Sequence, residues 1–172
     1  MDVGTRQRIQ DIYHRNNDMV YRICFLYLKN EQDAYDAAHE TFVRLIQKDP
    51  VFSDREHEKA WLIRVAVNCC KDVLKSWWKK NWNGYESVEE QGRTEILSEE
   101  KPDSPVLEAV LDLPVKYRTL VYLHYYEGYT VAEIGRILHQ NPSTLRGRLA
   151  RAKEILRKEL EAYVSRDQNT TG

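Results

Sequence analysis

At 172 residues and a formal net charge of −1, the chain is one large domain or two small ones. Hydrophobic residues at 42% against 31% charged supply a core and exclude wholesale disorder. No run of 18 apolar residues is present, which excludes a transmembrane helix and predicts no membrane insertion. The opening stretch MDVGTRQRIQDIYHRNND is polar and lacks the apolar segment of a secretory signal, so the cytoplasm is the expected compartment. Cys24, Cys69 and Cys70 are odd in number and lack metal spacing, so they read as reduced packing thiols. Seven Gly, five Pro and long runs of 3.6-residue period predict an all-α protein.

The small net charge hides an uneven distribution. Residues 1–84 carry 14 Lys/Arg and 12 Asp/Glu, residues 85–105 carry 2 and 7, and residues 106–166 carry 10 and 7. An acidic segment holding Gly92, Pro102 and Pro105 thus separates two mildly basic blocks and reads as a flexible linker. The expected organisation is two small helical domains, 1–84 and 106–164, joined by the acidic linker 85–105 and followed by a disordered tail at 165–172.

In the first block, a helix from about Thr5 to Leu28 carries Ile9, Ile12, Tyr13, Val20, Ile23, Cys24 and Tyr27, with a possible break at Asn16–Asn17. A second, from about Glu31 to Gln47, has the apolar stripe Tyr35, Ala38, Phe42 and Leu45, with Asp33, Asp36, Glu40 and Arg44 opposite. Asp49–Glu58 reads as a loop broken by Pro50. A third helix, from about Glu58 to Lys79, buries Leu62, Val65, Cys69 and Val73 and gathers Arg64, Asn68, Lys71 and Lys75 on one polar face. Its end, SWWKKNW, interleaves Trp77, Trp78 and Trp82 with Lys79 and Lys80. Cations neutralise phosphates, and rings or amides can take an unstacked base. The same spacing also fits tryptophans over a core beside a solvated lysine face.

In the second block, two short helices at about Pro105–Leu111 and Val115–Glu127 precede TVAEIGRILHQNPSTLRGRLARAKEILRK. Thr130 with Glu133 forms a capping box that starts one helix; Asn141-Pro142, as N-cap and first helical residue, restarts the chain after a turn at His139–Gln140. The last helix buries Leu145, Leu149, Ala152 and Leu156 and turns outward Ser143, Arg146, Gly147, Ala150, Arg151 and Lys153, with Thr144 and Arg148 at the edge. This is a helix-turn-helix whose second helix can lie in a DNA major groove.

Three stretches, DAYDAAHETFVRL (33–45), KAWLIRVAVNCCKDVL (59–74) and LPVKYRTLVYLHYYEGYTVAEIGRIL with PSTLRGRLARAKEIL, resemble in order the extracytoplasmic-function sigma factors of bacterial RNA polymerase. The resemblance spans nearly the whole chain outside linker and tail. It implies a transcription initiation factor, not an enzyme, with no cofactor, metal or small-molecule substrate. Asp36, His39, Glu40 and Arg44 would face the clamp of the largest polymerase subunit; His39 stands where the family has Gln. Asn68 would read a base of the −10 element flipped into a pocket walled by residues 52–58, with Arg64, Lys71 and Lys75 on flanking phosphates. Thr144, Arg146, Gly147, Arg148, Ala150, Arg151 and Lys153 would meet the −35 element, with Gly147 in place of the common Ser. The surface around Tyr117–Tyr126 would meet the flap of the second-largest subunit. The acidic linker would run through the positive RNA channel. His139 stands where a turn glycine is common, so a left-handed turn there would cost more than with Gly. Further expected partners are promoter DNA and an anti-sigma factor. The competing reading is a stand-alone helix-turn-helix regulator that binds its operator without polymerase.

Overall fold

The computed structural model describes residues 1–81 and 104–170. Most of the expected linker, Trp82 and the last two residues of the expected tail lie outside the described residues. Among the described residues all regular structure is helical, and the chain forms two compact units, Met1–Tyr85 and Glu86–Gly172.

The N-terminal unit is a bundle of α1 (Val3–Leu28), α2 (Glu31–Lys48) and α3 (Arg55–Asn81). Its boundaries follow from local hydrogen bonds. Asp2 caps α1 by accepting from Thr5 N at 2.6 Å, and that bond holds its carboxyl below the usual range. Lys29 closes α1 in the left-handed region, and Asn30 opens α2 by accepting from Asp33 N at 2.9 Å. Two residues therefore suffice to reverse the chain. Asp49, at φ 41°, ends α2.

The core is formed by Ile12, Val20, Ile23 and Cys24 of α1, Ala34, Ala37 and Leu45 of α2, and Leu62, Ile63, Ala66 and Cys70 of α3. The alanines of α2 let its backbone approach both neighbours. All three cysteines are free and buried. The hydrogen bond with Cys24, then burial, pushes the Cys70 thiol up, and burial pushes Cys69 up. Neutral thiols here pack as small hydrophobes.

Several sequence expectations change. α1 runs through Asn16–Asn17 without a break, because Asn16 is buried and its amide donates to Ile12 O at 2.9 Å and to Glu58 Oε1 at 2.8 Å. Tyr35 is 61% exposed rather than core, its ring tilted against Tyr21 at 4.6 Å. Val65 and Val73 are only half-buried; Leu62 and Cys69 are buried as expected, and Ile63, Ala66, Val67 and Cys70 join them. The loop after α2 is shorter than expected: Asp54 accepts from His57 N at 2.7 Å, so α3 starts at Arg55.

The C-terminal unit consists of α4 (Pro105–Leu111), α5 (Val115–Val121) running into a π-helical turn (Tyr122–Tyr126), α6 (Val131–Leu138) and α7 (Pro142–Thr170). Ser104 caps α4 and Pro105 is its first residue, so helix begins just before the expected domain boundary at 106. Arg118 is 2% exposed, and its guanidinium donates to the carbonyls of Leu113 (3.0 Å) and Leu111 (3.5 Å), which satisfies the α4–α5 connection from inside. Residues 165–170 of the expected tail are helical. α7 continues through Thr170, and along its exposed course Arg157 bonds Glu154 and Glu161, each at 2.9 Å.

The turn of the helix-turn-helix is set by two residues. A Cβ on Gly135 would meet Gln140 O at 2.8 Å and Pro142 Cγ at 3.2 Å, so only glycine lets α7 fold back this closely. His139 caps α6 with φ 54°, the left-handed conformation that is costlier here for His than for Gly. Replacing it by glycine, His139→Gly, removes the steric cost of a Cβ there. The expected gain is about 1 kcal/mol in the stability of the C-terminal unit, read as a rise in its urea midpoint by circular dichroism; an unchanged or lowered midpoint contradicts it.

Candidate nucleic-acid and protein interfaces

The polar face expected on α3 is present. Asn68 and Lys75 are exposed and Arg64 and Lys71 half-buried, at positions that share one side of the helix. Beside them the loop 49–54 folds over an aromatic cluster. Phe52 meets His57 edge-on at 5.4 Å and Trp61 at 5.8 Å. Ser53 N donates to His57 Nδ1 at 3.2 Å. The loop is tied from α1 as well: Arg8 pairs with Asp49 and donates to Pro50 O at 3.3 Å. Arg15 binds both oxygens of the buried Glu58, the closer contact at 2.9 Å, while Asn16 donates to the same carboxylate. The sequence assigns no role to Arg8 or Arg15, and places Glu58 only at the end of the segment expected to wall a pocket. The 41- to 43-residue separations of these pairs explain why no local pattern marks them.

The expected partner-facing residues of α2 divide between two grooves. One, about 490 Å³, runs between α1 and α2 and is lined by Tyr13, Tyr21, Tyr35, Phe42, Asp36 and His39. The other, about 420 Å³, runs between α2 and α3 and is lined in part by Asp36, Glu40, Arg44, Asp72, Trp77 and Lys80. Asp36 borders both. Arg44 is committed internally: it bonds Asp72 Oδ2 at 3.1 Å and Glu40 Oε1 at 3.3 Å. These bonds, that with Asp72 above all, push its guanidinium further up. It is a brace between α2 and α3 as much as a surface charge.

On α7, Thr144, Arg146, Gly147, Ala150, Arg151 and Lys153 are all exposed, and Arg148 is half-buried at the edge. They form one outward arc opposite Leu145, Leu149 and Ala152, which are buried. The N-terminus is organised for contact: Asn141 Oδ1 accepts from Ser143 N at 2.8 Å, and Ser143 Oγ accepts from Arg146 Nη2 at 3.2 Å. Lys153 Nζ lies 5.7 Å from the centroid of the Tyr125 ring, which the π-helical turn presents. Sequence reasoning had not paired these two. One turn past Ala150, Glu154 is held below the usual carboxylate range by its hydrogen bond from Arg157. A carboxylate there closes the cationic arc.

No described helix is long and apolar enough to cross a membrane, and among the described residues no cluster of His, Cys, Asp or Glu could hold a metal ion.

The sequence signature of Sigma-70 region 2 matches residues 12–81, and that of Sigma-70 region 4 matches residues 104–156. The chain is 30% identical to the ECF RNA polymerase sigma factor SigW of Bacillus subtilis (strain 168), covering 91% of each chain. It is 29% identical to RNA polymerase sigma factor SigV of the same strain, covering 81% of this chain and 83% of that one. Its fold resembles that of the sigma factor RpoE solved in complex with the anti-sigma factor NepR from Bartonella quintana. The TM-score is 0.69 at 15% identity, covering 90% of this chain and 98% of that one.

The two ties from α1 to the loop region differ in burial, and so in energy. Glu58→Ala leaves the Asn16 amide and Arg15 guanidinium without their carboxylate and is expected to cost about 3 kcal/mol. Arg8→Ala removes a pair exposed on both sides and is expected to cost less than about 1 kcal/mol. Urea denaturation of the full chain checks both; equal losses would contradict the distinction.

Proposed function

We propose, from the premise that the chain belongs to the extracytoplasmic-function sigma factors, non-enzymatic initiation factors that direct RNA polymerase to promoters, that its two units divide promoter recognition between them. Within the N-terminal unit, the domain at 1–84 docks on polymerase through α2 and reads the −10 element through α3. Within the C-terminal unit, the domain at 106–164 reads the −35 element through α7.

The observation that carries this reading is the cationic arc of α7. Small residues and arginines alternate on its exposed side, behind a capped N-terminus that faces outward. Arginine forks onto guanine O6 and N7 or grips phosphates, and helix N-terminal amides favour phosphate. Arg146 and Arg151 are the base-reading candidates, with Thr144, Arg148 and Lys153 on the backbone. In the N-terminal unit, Asn68 offers an amide donor and acceptor to an unstacked base between α3 and the loop that Phe52, His57 and Trp61 hold in place. Arg64, Lys71 and Lys75 neutralise flanking phosphates.

The proposed protein partners follow the surfaces. Asp36, His39, Glu40 and Arg44 meet the clamp of the largest polymerase subunit. Tyr125 and Tyr126, exposed on the π-helical turn, meet the flap of the second-largest. An anti-sigma factor, such as accompanies the solved relative, silences the protein by covering these surfaces, and the protein works where polymerase is, in the cytoplasm. Two weak DNA contacts held on one polymerase reinforce each other through effective concentration.

Reconstituted transcription tests the reading. With sigma-free core polymerase and randomised promoters, the chain is expected to produce specific starts sharing −35 and −10 motifs. Arg146→Ala and Arg151→Ala should each lose about 1–3 kcal/mol of discrimination at one −35 base pair. DNA binding that persists without polymerase, with no specific starts, would favour a stand-alone regulator.

Gly147 offers a second test. A Cβ there would meet nothing within 4 Å, so the fold does not require glycine, which costs about 1 kcal/mol in a helix interior relative to alanine. Gly147→Ala is therefore expected to stabilise the C-terminal unit while weakening −35-dependent transcription, because the bare backbone admits close approach of DNA. A stabilised variant with unchanged promoter use would contradict that role.

A further inference from the structure

The end of α3 carries two adjacent tryptophans that the sequence groups together as aromatic partners of a basic face. The structure separates them. Trp77 is 48% exposed and lines the groove between α2 and α3 with Asp36, Glu40, Arg44, Asp72 and Lys80. On α3, Cys69, Asp72, Val73, Ser76, Trp77 and Lys80 follow this groove at helical spacing. The face of Arg64, Asn68, Lys71 and Lys75 lies well round the helix from it, since successive residues advance by about 100°. Trp78, one residue on, turns back toward that second face and meets Trp77 edge-on, with centroids 5.2 Å apart.

We propose that Trp77 is a polymerase anchor, not a nucleic-acid contact: the α2–α3 groove extends the docking surface of α2 onto α3 and takes a basic helical segment of the polymerase with an apolar side chain set against the indole. This rests on the docking role proposed for α2. Charge argues for the occupant. Asp33, Asp36, Glu40 and Asp72 border the groove against Arg44 and Lys80, and Arg44 is already bonded to Glu40 and Asp72. The groove is thus acidic at its α2 edge, which repels phosphate and attracts cations. Continuity argues for it too, because Asp36, Glu40 and Arg44 belong to the proposed docking set and to this groove at once. An indole in such a patch is the residue type that dominates protein interfaces. Lys80, at the far end, opposes a basic partner.

The test measures affinity of the full chain for core polymerase without DNA, by biolayer interferometry. Trp77→Ala is expected to weaken binding at least about tenfold, Trp77→Phe to retain most of it, and Trp78→Ala to stay within about twofold of the wild type. Lys80→Glu should tighten binding, a sign that a phosphate-binding role for this end of α3 would reverse at the promoter. Circular dichroism establishes that each variant is folded, and Lys80→Glu, on an exposed side chain, keeps the test decisive if Trp77→Ala is not. If Asp36→Lys weakens binding while Trp77→Ala and Lys80→Glu do not change it, Trp77 is no anchor and the α2 docking reading stands. If none of the variants changes affinity, docking through α2 fails as well.

Discussion

The N-terminal unit depends on one buried carboxylate. Glu58 sits on the first turn of α3 with its side chain 8% exposed, a position that would be prohibitive for an unpaired charge. It is tolerated because Arg15 and Asn16 of α1 supply charged and neutral donors together. The same three residues fix the phase of α3 against α1. From that fixed origin, Asn68 lies ten residues along the helix, about 15 Å, and the loop before α3 is held by Arg8 and by the cap of Asp54. The position of this stretch of α3 thus rests on side chains up to 43 residues away in the chain.

Much of this fold is written locally and could be read without coordinates. The capping box is present as expected, with Glu133 N donating to Thr130 Oγ1 at 3.2 Å. So is the Asn141-Pro142 restart, because both need only neighbouring residues. The sequence marks His139 only as a place where a left-handed turn would be costly; that the turn is left-handed is seen in the fold. What could not be read depends on partners far along the chain. Asn16 resembles a helix breaker until Glu58 satisfies its amide. Tyr35 resembles core until α2 is seen to present alanines, not its tyrosine, to its neighbours. The commitment of Arg44 to Asp72 crosses 28 residues, and the division of Trp77 from Trp78 follows from a helix phase that only packing against α2 reveals.

The electrostatics of α2 show why a charge pattern in sequence is not a map of available charge. Glu40 and Asp72 share the single guanidinium of Arg44, whereas Asp36 accepts from the neutral amide of Gln32 at 3.1 Å. Net attraction for a cationic partner is therefore concentrated toward Asp36, the residue that borders both grooves. A patch that reads as mixed in one dimension is polarised in three, and polarised patches orient an approaching partner before contact is made.

α7 is one uninterrupted rod of 29 residues, about 43 Å long, and the arc from Thr144 to Lys153 occupies only its first portion. Tyr163 and Val164, exposed near the other end, are rigidly continuous with Arg146. Any tilt of the rod about its first portion therefore displaces the distal end through a larger path, as a pointer magnifies the turn of its spindle. The far half of the helix thus serves as a built-in goniometer: its position reports the angle at which the near half lies.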